Sequence, residues 1–219
     1  MTIQANISVE QLQRQMWFSV RKRLSDKQLS TDGCACLSMA IPGTQKFWFG
    51  YQYSASPWLV DLGQRPAQGP EECLHGQIYQ ARRDVCAIAC GTGDYTRYLL
   101  ELCGDLPVLF DEQARHLGAL IEVREGPLAL RQQLQSGTNV LLVGSQLLVL
   151  GMTGQRLLFN AELFEKCAQA YVLAAATGRP VKRLPWWVRW IAGRRLQRDQ
   201  RNARIRSQDY LLPEDAKGY

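Results

Sequence analysis

Histidine is nearly missing from this chain of 219 residues: His75 and His116 are the only two. That excludes any site needing three histidine ligands from one chain. Long apolar runs are missing as well. The longest candidate, residues 140–152, is interrupted by Gly144, Ser145 and Gln146, short of the roughly 18 residues a membrane span requires. The first ten residues lack the basic and apolar blocks of a signal peptide, so none is expected. No internal repeat and no low-complexity tract occurs. Hydrophobic residues make up 46% and charged residues 21%, which argues against a disordered chain, a collagen or a coiled coil. The length fits one domain with a sizeable core, with room for an appendage. Seven cysteines are an odd number in a chain too large to need disulfide staples, so reduced thiols in a cytoplasm are expected.

Basic character is confined to one place. Residues 182–206 hold nine Lys and Arg against one acid, Asp199, a net of +8; the formal charge of the whole is +6, which leaves −2 for the rest. The body is nearly neutral, and the charge belongs to the tail.

Ser8 and Gln11 form a capping box ahead of helically spaced Val9, Leu12, Met16, Trp17, Val20 and Leu24, so a helix is predicted over 9–25. Residues 35–41 and 47–53 read as strands around the turn at Pro42 and Gly43, and 64–70 as a loop. Pro70, Glu71 and Glu72 suit the first turn of a helix. A short buried strand over 85–90 is then broken by Gly91, Thr92 and Gly93, and Asp94 starts a helix to Leu102. Short helices over 111–117 and 127–134 flank a strand at 119–123. Residues 140–143 and 147–150 form a hairpin, followed by a helix over about 160–177 that Gly178 stops. Strands mixed with helices in one stretch predict an α/β domain.

These words in this order resemble the class II aldolase/adducin family. The run Leu74-His75-Gly76-Gln77-Ile78-Tyr79-Gln80-Ala81-Arg82-Arg83-Asp84-Val85 is similar to that family's helix–strand segment. Asp111-Glu112-Gln113-Ala114-Arg115-His116-Leu117-Gly118 matches its E-Q-A-R-x-L-G stretch. The hairpin at 140–151 keeps its apolar frame and closing Gly151, and Thr177-Gly178-Arg179-Pro180 resembles its last helix stop. The resemblance covers residues 8–184. It implies a three-layer α/β/α sandwich around a mixed sheet, with a family-like domain at 1–184 and a basic Trp/Arg-rich extension at 185–219. It also implies a homo-oligomer, a tetramer whose C-terminal segments reach over adjacent subunits.

Family members hold zinc with three histidines and polarise a carbonyl, while a glutamate acts as acid/base. The matching ligand positions here are Cys90, Thr92 and Ser145, and none is histidine. Glu71 matches the acid/base. The phosphate-binding loop matches residues 35–40, where only Ser38 survives. The resemblance thus implies a protein without the zinc mechanism and without a metal cofactor: a binding, structural or regulatory subunit. Alternatively it is a repurposed metal-independent lyase or isomerase, with Glu71 and Cys90 catalytic and Cys36, Ser38, Thr92 and Ser145 lining the pocket. Cys34 and Cys36 alternate on one strand face, and Cys36, Cys90 and Glu71 offer a thiophilic metal a partial donor set. Each has a plainer reading: Glu71 as a solvated first-turn acid, Cys90 as a small buried hydrophobe, both histidines as packed side chains.

Two other patterns stand apart. Cys90-Gly91-Thr92-Gly93-Asp94, after a strand and before a helix, resembles the glycine motif of S-adenosylmethionine-dependent methyltransferases, with Asp111 or Glu112 placed for a ribose. In the tail, Trp186, Trp187 and Trp190 precede Arg194 and Arg195. On a helix, Trp187, Trp190, Ile191 and Arg194 share a side, with many of the other arginines facing away. That face suits a neighbouring subunit or protein partner, or an anionic surface. No strong nucleic-acid signal is present.

Overall fold

A computed structural model describes residues 8–31, 33–64, 67–123 and 127–214, the side chains of 127 and 128 excepted. Helix α1 (Val9–Asp26) opens with the predicted capping box: the Ser8 hydroxyl accepts from Gln11 N, and the Gln11 side chain accepts from Ser8 N. Strands β1 (Cys36–Ala40), β2 (Lys46–Tyr51) and β3 (Trp58–Asp61) follow, then α2 (Pro70–Ala81), β4 (Ala87–Cys90), α3 (Asp94–Leu102), α4 (Asp111–His116), β5 (Ile121–Val123) and α5 (Pro127–Leu134). The hairpin β6 (Val140–Val143) and β7 (Gln146–Gly151), then α6 (Gly154–Ala175) and α7 (Trp186–Gln208), complete the chain. Residues 65 and 66 of the predicted 64–70 loop lie outside the described residues.

The seven strands form one mixed sheet in the order β3-β2-β1-β4-β7-β6-β5; every pair is antiparallel except β5 with β6. β4 is central, which explains why all four of its residues are buried. Alternation along β1 divides the core. Leu37 and Met39 meet Trp17, Val20 and Leu24 of α1 and Leu157 and Phe164 of α6 on one face. Cys36 joins Ile78 and Tyr79 of α2 and Leu130 and Leu134 of α5 on the other. The layers are therefore helices, sheet, helices, as expected. A doubly wound parallel sheet, which the methyltransferase reading requires, is not what the strands form.

Three details depart from expectation. β3 adds an edge strand that sequence alone does not reveal, since only Val60 of its four residues is fully buried. α6 starts at Gly154 rather than near 160, with the Thr153 hydroxyl accepting from Arg156 N at 3.0 Å. The glycine is needed because α1 crosses here: a Cβ at Gly154 would stand 2.5 Å from Met16 Cγ. α7 packs on α4 through a narrow stripe of Ala192, Leu196, Gln200, Ala203 and Ser207. Its tryptophans point outward.

Candidate functional site

The end of β4, the turn before β1 and the tip of the β6–β7 hairpin converge. Antiparallel pairing sets Cys36 directly across from Cys90. The hairpin turns at Gly144, whose φ of +59° suits glycine, and so brings Ser145 to the same end. Between them and α3 lies a cleft of about 480 Å³ lined by Cys34, Cys90, Thr92, Arg97, Glu101 and Ser145, among others. Cys90, Thr92 and Ser145, three positions singled out from sequence, share one wall system.

Cys36 and Ser38 lie deeper on the face that packs on α2, the face that Cys36 shares with its strand partner Cys90. The Cys36 thiol lies 3.7 Å from His75 Nε2, the Ser38 hydroxyl 2.8 Å from His75 Nδ1, and the same hydroxyl 2.7 Å from Tyr79 Oη. All four side chains are buried. The neighbouring Cys90 thiol and then burial push Cys36 far above an ordinary thiol, and burial lowers His75 to about 3. This pair therefore holds neutral thiol and neutral imidazole at physiological pH, not the thiolate–imidazolium of a nucleophilic site. Ser38 does not line the cleft.

Glu71 sits half-buried in the first turn of α2. Its charge is among the influences raising Cys36, behind Cys90 and burial, and it raises Tyr51 after burial does. Its neighbour Glu72 is the more tightly held carboxylate: Oε1 accepts from Trp58 Nε1 at 2.7 Å and Oε2 from Gln68 N at 2.8 Å. The bond to Trp58 ties α2 to β3, a link sequence reasoning missed.

The glycine motif has an internal partner. The Glu165 carboxylate accepts from Tyr95 N at 2.7 Å, Thr96 N at 3.1 Å and Thr96 Oγ1 at 2.5 Å, capping α3. A Cβ at Gly93 would stand 2.5 Å from that carboxyl carbon. The glycine thus admits a side chain of α6, where the methyltransferase reading puts a nucleotide. His116 is remote from the cleft. Its Nδ1 accepts from Arg156 Nη1 at 2.6 Å, and burial, then the charges of Arg156 and Arg115, lower it to about 4.

The donor set does not suit the zinc that the resemblance implies. One thiol beside two neutral hydroxyls makes a poor zinc shell. Among the described residues no three His, Cys, Asp or Glu side chains stand together so as to hold a metal ion. All seven cysteines are free thiols.

An L-fuculose 1-phosphate aldolase superposes with a TM-score of 0.73 at 18% identity, covering 88% of this chain and 100% of its own. The fold is that of the class II aldolases. The L-fuculose 1-phosphate aldolase of Glaciozyma antarctica PI12 gives a TM-score of 0.70 at 16% identity, with 95% and 92% covered. An aldolase II superfamily protein of Pseudomonas syringae gives 0.66 at 15%, with 95% and 98% covered. Sequence comparison is silent beside this: no family model and no curated protein matches the chain.

Proposed function

We propose that this class II aldolase-fold protein binds a small polar ligand in the cleft without zinc-dependent aldol chemistry, as a binding, structural or regulatory subunit. The carrying observation is the cleft wall itself. Cys90, Thr92 and Ser145 stand where the resemblance puts metal ligands, and they offer one thiol and two neutral hydroxyls. Such groups donate and accept hydrogen bonds at neutral pH but make a weak Lewis-acid site. The charges lining the cleft are Arg97 and Glu101, and Arg97 is paired with Asp94 at 2.8 Å. Reduced cysteines fit a cytoplasmic protein, and the aldolase resemblance supports a homo-oligomer, a tetramer in this reading.

Metal content and aldol activity test the proposal together. Untagged protein is expected to carry no stoichiometric zinc and to leave L-fuculose 1-phosphate uncleaved after zinc is added. Cleavage that tracks bound zinc overturns the reading.

A second reading, a metal-independent lyase or isomerase, draws on the influence of Glu71 on Cys36 and Tyr51. Glu71 would act as base, with Cys90, Thr92 or Ser145 supplying hydrogen bonds or the nucleophile. It predicts turnover of a hydroxy-carbonyl substrate that Glu71→Gln reduces by roughly two orders of magnitude or more.

A further inference from the structure

We infer that the outward face of α7 docks on an anionic bilayer surface. On a helix of about 3.6 residues per turn, Trp187, Trp190, Arg194, Arg198, Arg201 and Ile205 fall opposite the stripe that packs on α4. The sequence pattern puts Arg194 beside the indoles and many of the other arginines on a different side. The structure places them together, because the small residues Ala192 and Ala203 are what α4 admits. Trp186 is 71% exposed and Trp187 and Trp190 are each 54% exposed. Three exposed indoles within five residues are costly in water, and none of the described residues buries them.

Charge decides the partner. The segment 182–206 has a net +8 while the rest of the chain has −2, so the molecule is a dipole whose positive end is this helix. Its one acid, Asp199, is taken by Arg115 at 2.6 Å. A second copy of the same face would set arginines against arginines. A nucleic-acid duplex would meet the arginines but leaves Ile205 and Ile191, both exposed, against phosphates. An anionic bilayer satisfies both halves. Indoles and isoleucines enter the headgroup boundary, where Trp is favoured. Arginines meet lipid phosphates, as Arg194 can while stacked over Trp190 at 4.3 Å. The cytoplasmic leaflet carries that negative charge. No helix among the described residues is long and apolar enough to cross a membrane, so the contact lies in the surface plane.

The full chain is tested by co-sedimentation and tryptophan emission with vesicles of phosphatidylcholine alone or mixed with phosphatidylserine, at low and high salt. Binding to the mixed vesicles alone is expected, with a blue-shifted emission and release by salt. Trp187→Ser with Trp190→Ser lowers partitioning at least about tenfold. Arg194→Gln, Arg198→Gln and Arg201→Gln each lower it about fivefold. These positions lie off the packed stripe, so circular dichroism and thermal midpoint stay unchanged. Equal binding to phosphatidylcholine, or none at low salt, overturns the inference. So does an oligonucleotide that binds more tightly than the vesicles, or a solution mass that halves in the double tryptophan variant, which would assign the face to a second copy.

Discussion

Gly93 and Glu165 act as one unit. The carboxylate reaches the first turn of α3 only because residue 93 has no Cβ. Gly93→Ala is expected to push the carboxylate away and leave two helix-start N–H groups poorly paired, costing about 1–3 kcal/mol. Glu165→Ala removes the same bonds, so the double variant costs much less than the sum of the two, as urea titration of the four proteins shows; simple additivity refutes the coupling. Nothing in the sequence announces Glu165, which lies 69 residues from Thr96 and reads as one more polar position on an amphipathic helix. Cys90, Thr92 and Ser145 are legible through the family resemblance, and the strand order carries them to one end. Ser38 is not, because it shares the α2 face with Cys36 and Cys90 but lies two residues deeper along β1, where His75 and Tyr79 cover it. Its partner sets a pH dependence. His75 titrates near 6.5 when unfolded and near 3 when folded. As pH falls through that window the unfolded chain gains a proton that the folded protein refuses, so stability declines by up to about 1.4 kcal/mol per pH unit. His116, lowered to about 4 by burial first, adds in the same direction. His75→Asn is expected to flatten the fall of the urea midpoint between neutral pH and pH 4; an unchanged slope refutes it.

Elements are legible where periodicity is long and caps are local. α1 declares itself through the Ser8–Gln11 box, and α3 and α5 begin and end as their sequences suggest. β3 hides because four residues show too little alternation. The start of α6 hides because glycine reads as a breaker, whereas here it permits the crossing of α1. Gly154→Ala tests that crossing. The new methyl would overlap Met16 Cγ at 2.5 Å and approach Val20 Cγ2 at 3.1 Å. Overpacking of this kind costs about 1–3 kcal/mol, although alanine is the better helix former. Met16→Ala makes room, so the double variant should be more stable than the sum of its parts. If Gly154→Ala raises the thermal midpoint by itself, the close approach is not a constraint and helix propensity governs the position.

At the scale of the whole molecule, α7 is joined to the rest differently from every other helix. The six helices before it belong to layers on the sheet or brace those layers, whereas α7 touches α4 through small side chains and a few polar bonds. Gln200 Nε2 donates to Gly137 O at 2.6 Å, and Arg115 Nη2 donates to Asp199 at 2.6 Å. Leu196 is the one large apolar side chain among the buried residues of α7, so α7 should open at a lower free energy than β4 at the sheet centre. Native-state hydrogen exchange would show α7 amides exchanging through a local opening while β4 waits for global unfolding. The Arg115–Asp199 pair is partly buried, with side chains 14% and 19% exposed, and Arg115 Nη1 has no hydrogen-bond partner among the described residues. Asp199→Asn therefore leaves an under-satisfied cation beneath the helix, a loss of about 1–3 kcal/mol. That loss should appear in the exchange of α7 and α4, with β4 unaffected. If β4 and α7 weaken together, the helix is part of the cooperative core. If they separate, the fold has kept the aldolase sheet as a rigid body and attached to it a basic helix that can be altered, or removed from a surface, without cost to the cleft.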